Sequence, residues 1–283
     1  MAVKIVTDSA CDLPKALIEK HQIEVLPILV YVNDEEFLDS KTLMPEDLYE
    51  RMAAGARVKT AQIPLAFFLT RFEEMAQTAD EYIYFAFSSN LSGTYQTAVL
   101  ACATVLSNYP DAKITVVDTK CASLGLGLNV IMLSEMALNG ATSEAILNEA
   151  KVLFASQEHV FSVDDLEYLF RGGRVSRAQA TIGNILNIKP ILNVQDGFLI
   201  PIDKVKGKKK RLQKLLDYLS EKGTNLDRQT IGIAHSVNLE DAEYIKSQIE
   251  TAYGTQSFII SQLGCAVGAH CGPGMISIFF QHK

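Results

Sequence analysis

Four segments of the chain place small hydroxyl residues where a short apolar run gives way to an amphipathic one. They are Thr7-Asp8-Ser9, Thr60-Ala61-Gln62, Ser88 through Thr94, and Asp118-Thr119 through Ser123. In an open α/β sheet such turns gather at the carboxyl ends of the strands, where ligands bind. The third is the most informative, because Ser92-Gly93-Thr94 stands where a helix should begin. Free N–H groups at a helix start favour an anion, and a serine hydroxyl adds a neutral donor. Plain N-capping by Ser92 is the competing reading.

Two glycine-rich segments carry further chemistry. Gly268-Ala269-His270-Cys271-Gly272-Pro273-Gly274 predicts a tight turn that holds His270 just before the last strand. A lone histidine is often structural, but on such a turn it is well placed to meet a ligand. Cys265, His270 and Cys271 match no common zinc spacing. Arg171-Gly172-Gly173-Arg174 sets two arginines around paired glycines, and arginine donates several hydrogen bonds to carboxylate or phosphate. The alternative for Arg171 is a helix C-terminus, with Gly172 as a left-handed stop.

The elements that must position these residues follow from periodicity. Val3–Thr7, Ile23–Val32, Tyr82–Ala86 and Ile114–Val117 read as strands. Leu13–Lys20, Pro45–Ala54, Leu65–Ala76, Ser92–Leu106, Ser123–Leu138 and Ser143–Phe154 read as helices. This alternation implies βαβ units and a parallel sheet. Beyond His159 the pattern becomes α+β. It has helices at Asp165–Phe170, Gln179–Leu186, Lys208–Leu219 and Glu240–Thr251, and strands at Thr230–Ala234, Ser257–Ile260 and Met275–Phe280. Lys189–Val194 and Phe198–Ile202 flank Asp196-Gly197, a hairpin signal. The expectation is an α/β fold with two domains, 1–157 and 158–283. No linker marks the boundary, so the halves should pack closely.

Composition bounds the function. The 283 residues carry a net charge of −7, against non-specific nucleic-acid binding. Asp203 to Lys214 alone is +6, which leaves −13 on the rest of the chain. Five widely spaced cysteines without a CxxC argue against a disulfide framework or a structural zinc. The N-terminal apolar run is too short for a signal peptide, and no stretch of about 20 apolar residues occurs. The expected location is the cytoplasm, with reduced thiols. No GxxxxGK[ST] phosphate loop appears.

Taken in order, Thr7-Asp8-Ser9 with Asp12-Leu13-Pro14, Thr60 through Pro64, Ser89 through Tyr95, Asp118-Thr119, Tyr168 through Ser176, Ile188-Lys189-Pro190-Ile191-Leu192, and Gly268 through Gly274 resemble the DegV family over essentially the whole chain. The resemblance implies a DegV-like fold: an N-terminal parallel-sheet α/β lobe, a C-terminal α+β lobe, and one long-chain fatty acid between them. It also implies the role of some members, the lipid-binding subunit of a bacterial fatty-acid kinase. There a separate ATP-dependent kinase subunit phosphorylates the presented carboxyl group, feeding phospholipid synthesis. By motif position the carboxylate contacts fall on Thr60, Ser92 and His270, with Arg174 as a further polar candidate and no cofactor. The hydroxyls of Thr60 and Ser92 and the amide of Gly93 would serve as donors to a buried carboxylate. One departure stands out. The family commonly has Thr-Ser-Gln-Pro where this chain has Thr60-Ala61-Gln62-Ile63-Pro64, so a hydroxyl is lost and a residue gained.

Two other functions compete with the carrier. A serine acyl-hydrolase would use Ser92 as nucleophile and His270 as base, although Leu91-Ser92-Gly93 lacks the G-x-S-x-G elbow. A regulatory protein would merely sense lipid. For a carrier, the segment Lys204–Lys214 offers a membrane or partner contact, with Lys208, Arg211 and Lys214 on one helical face. A solvated helix is the plain alternative.

Overall fold

In a computed structural model that describes residues 2–177 and 187–282, the chain folds into three sheets. The first contains β1 (Val3–Asp8), β2 (Glu24–Leu26), β6 (Glu81–Ala86) and β7 (Lys113–Asp118), in the order β2-β1-β6-β7. All three pairings are parallel. Parallel neighbours need long crossovers, and α1 (Lys15–Lys20), α3 (Leu65–Ala76) and α4 (Thr94–Asn108) supply helices for them.

The second sheet is small and antiparallel, with β3 (Leu29–Val32) between β4 (Glu35–Leu38) and β5 (Val58–Ala61). It corrects the reading of Ile23–Val32 as one strand. Pro27 lacks an amide donor, so the ladder breaks there. The chain leaves the parallel sheet after Leu26 and enters the small sheet at Leu29. Neither β4 nor β5 is legible as a strand in the sequence.

The third sheet has six strands in the order β10-β9-β8-β13-β11-β12. These are β8 (Gln157–Ser162), β9 (Ile188–Gln195), β10 (Phe198–Lys206), β11 (Thr230–His235), β12 (Ser257–Gln262) and β13 (Ile276–Gln281). Only β11 and β12 run parallel. The Asp196-Gly197 hairpin forms as its residues predict, with φ of +48° and +81° at the two turn positions. The helix expected at Gln179–Leu186 lies outside the described residues.

One helix joins the sheets. α5 (Leu124–Leu138) is apolar on nearly every side of its first turns, so it must be buried all round. It packs on β1 of the parallel sheet and on β8, β11 and β13 of the six-stranded sheet. A single apolar core therefore contains Ile5, Phe85 and Leu124 together with Phe161, Leu192 and Phe279. The two halves of the chain pack closely, as the missing linker implies.

A second correction concerns Gly268–Gly274. Cys265–Cys271 is a helix, and only Gly272 and Gly274, at φ +71° and +85°, turn the chain. Gly268 serves packing: a Cβ there would lie 2.3 Å from Tyr49 Oη.

Candidate functional site

The site begins on β5. Val30 pairs with Thr60, which fixes the threonine at the end of the small sheet. Ile63 then drops into the core with Phe68 and Phe72, and Pro64 starts α3. Burial of Ile63 on the opposite side leaves Gln62 to turn inward. Its Nε2 donates to Thr97 Oγ1 at 2.7 Å.

Gln62 explains the glycine at the start of α4. A Cβ at Gly93 would lie 1.9 Å from Gln62 Oε1. Ser92 does act locally, since its Oγ accepts from the Thr94 amide at 3.2 Å and shares a 2.9 Å hydrogen bond with Thr94 Oγ1. Gly93, not Ser92, is the residue that flanks the helix. Ser92 thus bonds to the first helical residue and also lines the chamber.

His270 arrives on the last turn of helix Cys265–Cys271. Its Nε2 is 2.7 Å from Thr60 Oγ1. Gly172 lies against the other ring nitrogen, where a Cβ would approach Nδ1 to 2.1 Å. Burial, aided by the Arg174 charge, pushes the imidazole down to about 3, so the ring is neutral at physiological pH.

Arg174 reaches the same place from the turn after α7 (Glu167–Arg171). Its Nε donates to Leu91 O at 3.0 Å, and its Nη1 donates to Gly172 O. Burial lowers its pKa, yet an arginine keeps its charge. The left-handed stop after α7 is Gly173, at φ +75°, whereas Gly172 has φ −72°, which corrects the expectation for Gly172. Arg171 turns outward and pairs with Glu167 at 3.0 Å.

These residues close around one chamber of about 210 Å³. Thr60, Gln62, Ser92, Gly93, Arg174 and His270 form its polar end. The rest of the lining is mostly apolar and includes Ile28, Phe87, Leu91, Phe161, Leu199 and Phe279. Thr60, Arg174 and His270 also face an outer groove that carries Arg57, Lys59 and Arg171. The polar end is thus one side chain thick from a basic surface. Such a chamber can hold an apolar chain with an anionic head, fixed by neutral donors and one guanidinium.

All five residues singled out from the sequence meet here. Sequence reasoning missed Gly172 as the floor under His270. It also missed Asp39, whose carboxylate holds the start of helix Cys265–Cys271. Nothing local marks Asp39 as special. His159, at the chamber wall, is pushed down to about 4 by burial and accepts from the Ala122 amide at 3.2 Å.

The basic segment departs from expectation. Arg211 is only 3% exposed, and its guanidinium pairs with Asp164 at 2.6 Å and Asp241 at 3.2 Å. Lys208 pairs with Asp241 at 2.6 Å and Lys214 with Asp203 at 2.7 Å. Lys208, Arg211 and Lys214 thus each pair with an acid of the protein, but only Arg211 is buried, so of the three it is Arg211 that is withdrawn from any outside contact. Lys204, Lys206, Lys208, Lys209 and Lys210 are exposed. Among the described residues, no group of three or more His, Cys, Asp or Glu is arranged to hold a metal, and no helix is long and apolar enough to cross a membrane.

Comparison with known proteins agrees with this geometry. A family model described as "Uncharacterised protein, DegV family" matches residues 2–283. A DegV domain-containing protein of Clostridium perfringens is 38% identical over 279 residues, covering 98% of this chain and 96% of its own. A Thermus thermophilus DegV family structure, described by its fatty acid binding, superposes with a TM-score of 0.89 at 28% identity and covers 100% of both chains. The Streptococcus pneumoniae Fatty Acid Kinase (Fak) B3 protein, solved loaded with linoleic acid, shares the fold at TM-score 0.88 and 22% identity over 100% of both chains. With the motifs in order, the two-lobed α/β architecture in place and the match running from end to end, this chain belongs to the DegV family.

Proposed function

We propose that the protein binds a long-chain fatty acid between lobes 1–157 and 158–283 and presents its carboxylate to a separate ATP-dependent kinase for acyl-phosphate formation. The observation that carries this reading is the double exposure of Thr60, Arg174 and His270 to the apolar chamber and to the outer basic groove. A carboxylate held there by Thr60, Ser92 and the start of α4 keeps one face toward the groove. The neutral His270, its Nε2 on Thr60 Oγ1, orients that hydroxyl, and Arg174 balances charge as an anion enters. The Thermus relative, described as fatty-acid-binding, supports the ligand class. The chain has no phosphate loop of its own, so ATP would come from the partner.

A serine acyl-hydrolase fits the geometry less well. The His270 Nε2 is engaged by Thr60 and the Ser92 hydroxyl by Thr94. Glycine, rather than a carboxylate, lies against Nδ1. A triad needs the base on the nucleophile and an acid behind the base.

Lipid extraction and mass spectrometry of protein purified from a host containing fatty acids test the ligand. One co-purified long-chain acid per protein is expected, with palmitate or oleate raising Tm. No lipid and no thermal shift would overturn the reading. For the second half, the loaded protein with Mg-ATP alone should give no acyl hydroxamate on hydroxylamine trapping. Addition of a fatty-acid kinase subunit should produce it.

A further inference from the structure

The His270 ring sits on a helix of only seven residues, Cys265–Cys271. Helices this short do not hold themselves, so external contacts must fix its position. α7 packs on it from the same half, and the remaining contacts come from the other half of the chain. Asp39 follows β4 and is 1% exposed. Its Oδ1 accepts from the Cys265 amide at 2.8 Å and its Oδ2 from the Ala266 amide at 3.1 Å. Ser40 Oγ adds a third donor at 3.1 Å. Beside it, Asp12 Oδ1 accepts from the Gly264 amide at 2.9 Å, and the Asp12 carbonyl accepts from Ser261 Oγ at 2.6 Å. Gly264 is tight under both carboxylates, since a Cβ there would be 2.9 Å from Asp12 Oδ1 and 3.4 Å from Asp39 Oδ1.

Three successive amides, Gly264 to Ala266, are thus held by two buried carboxylates from a segment more than 220 residues away. The two acids differ. Burial raises the Asp39 carboxyl, and the hydrogen bonds that both its oxygens accept oppose that rise. Asp12 Oδ2 has no partner, and burial pushes this carboxyl up to about 8. Burial thus raises both carboxyls, and the amide hydrogen bonds oppose the rise most fully at Asp39.

We propose that Asp39, seconded by Asp12, is the positioning residue for His270: by gripping the first amides of helix Cys265–Cys271 it sets the imidazole against Thr60 at the head-group end of the chamber. Asp39 touches neither Thr60 nor the chamber and acts only through the helix. The inference rests on the fatty-acid reading given above, and it adds the residue that makes the carboxylate contact rigid. An asparagine at 39 turns an amide NH₂ toward a backbone N–H, so one of the two grips is lost.

The test is a double-mutant cycle read by palmitate binding, with Tm measured in parallel on all four proteins. Asp39→Asn should weaken palmitate about tenfold, the scale on which supporting contacts act. In the His270→Ala background the same substitution should change palmitate affinity less than twofold. The Tm decrease should be the same in both backgrounds, because the stability effect does not pass through the ring. Full additivity of the binding losses, or unaltered palmitate affinity in Asp39→Asn, would overturn the proposal. Should Asp39→Asn not fold, the same cycle with Asp12→Ala, which removes the acceptor of the Gly264 amide, decides on the same criteria. Absence of palmitate binding by the wild type is a separate result, and it would remove the fatty-acid reading and the positioning role together.

Discussion

Thr60 Oγ1 and His270 Nε2 lie 2.7 Å apart although 210 residues separate them in the chain. The threonine belongs to a small antiparallel sheet and the histidine to a short helix before the final strand. Their contact closes the polar end of the chamber. It also joins the first half of the protein to the second at the place where a ligand's charge would rest.

Removing one hydroxyl from that end should cost binding and little stability. A hydrogen bond to a charged group contributes about 1.5–3 kcal/mol, or about 10–100-fold in affinity. Thr60→Ala and Ser92→Ala should each weaken palmitate within that range, measured by fluorescent fatty-acid displacement, with Tm changed by only a few degrees. Unchanged affinity in both variants would show that the head group rests elsewhere.

The two glycines at the site have separate jobs. A methyl group at 93 would collide with the Gln62 amide, and one at 172 with the His270 ring. Gly93→Ala should therefore free Gln62 from Thr97, and Gly172→Ala should move His270 off Thr60. Both should lose palmitate binding. The combination Gly93→Ala with Gln62→Ser should recover part of it, because the colliding atom is gone, whereas Gln62→Ser should leave Gly172→Ala unrescued.

Neutrality of the His270 ring has a direct readout. With its pKa pushed down to about 3, the apo-protein ring should show no titration between pH 5 and 8 in nitrogen-15 NMR. A midpoint near 6.5 would contradict the burial that the structure shows.

Two buried groups tilt stability against pH in opposite senses. His159, lowered from 6.5 to about 4, binds a proton more readily when unfolded. Its contribution is present above pH 6.5 and is lost as pH falls toward 4. Asp12, raised from 3.8 to about 8, keeps a proton that the unfolded chain releases. Its contribution is full below pH 3.8 and is lost as pH rises toward 8. Urea unfolding across pH should show a flatter acid limb in His159→Gln and a flatter alkaline limb in Asp12→Asn.

The basic segment divides into structural and solvent-facing charges. Arg211→Ala removes the buried partner of Asp164 and Asp241, which keep Lys189 and Lys208, and should destabilise by about 1.5–3 kcal/mol. Charge reversal at Lys209 and Lys210 should leave Tm nearly unchanged, because both are exposed. If these lysines meet a bilayer during transfer, that variant alone should lose fatty-acid exchange with anionic vesicles.

The sequence by itself determined the repeated strand–helix alternation, the parallel sheet that follows from it and the Asp196-Gly197 hairpin. These were readable because each depends on neighbours in the chain: a period of apolar residues or a turn dipeptide. The ordered motifs added the family. Only the tertiary structure decided that Ile23–Val32 divides between two sheets, that His270 rides on a helix, and that Lys208, Arg211 and Lys214 face acids within the protein. It alone placed Asp39 and Gly172 at the service of His270. The physical reason is the same in each case. A carboxylate earns its role from the amides it meets, and a glycine from the atom that would strike its Cβ, and both partners here come from distant parts of the chain.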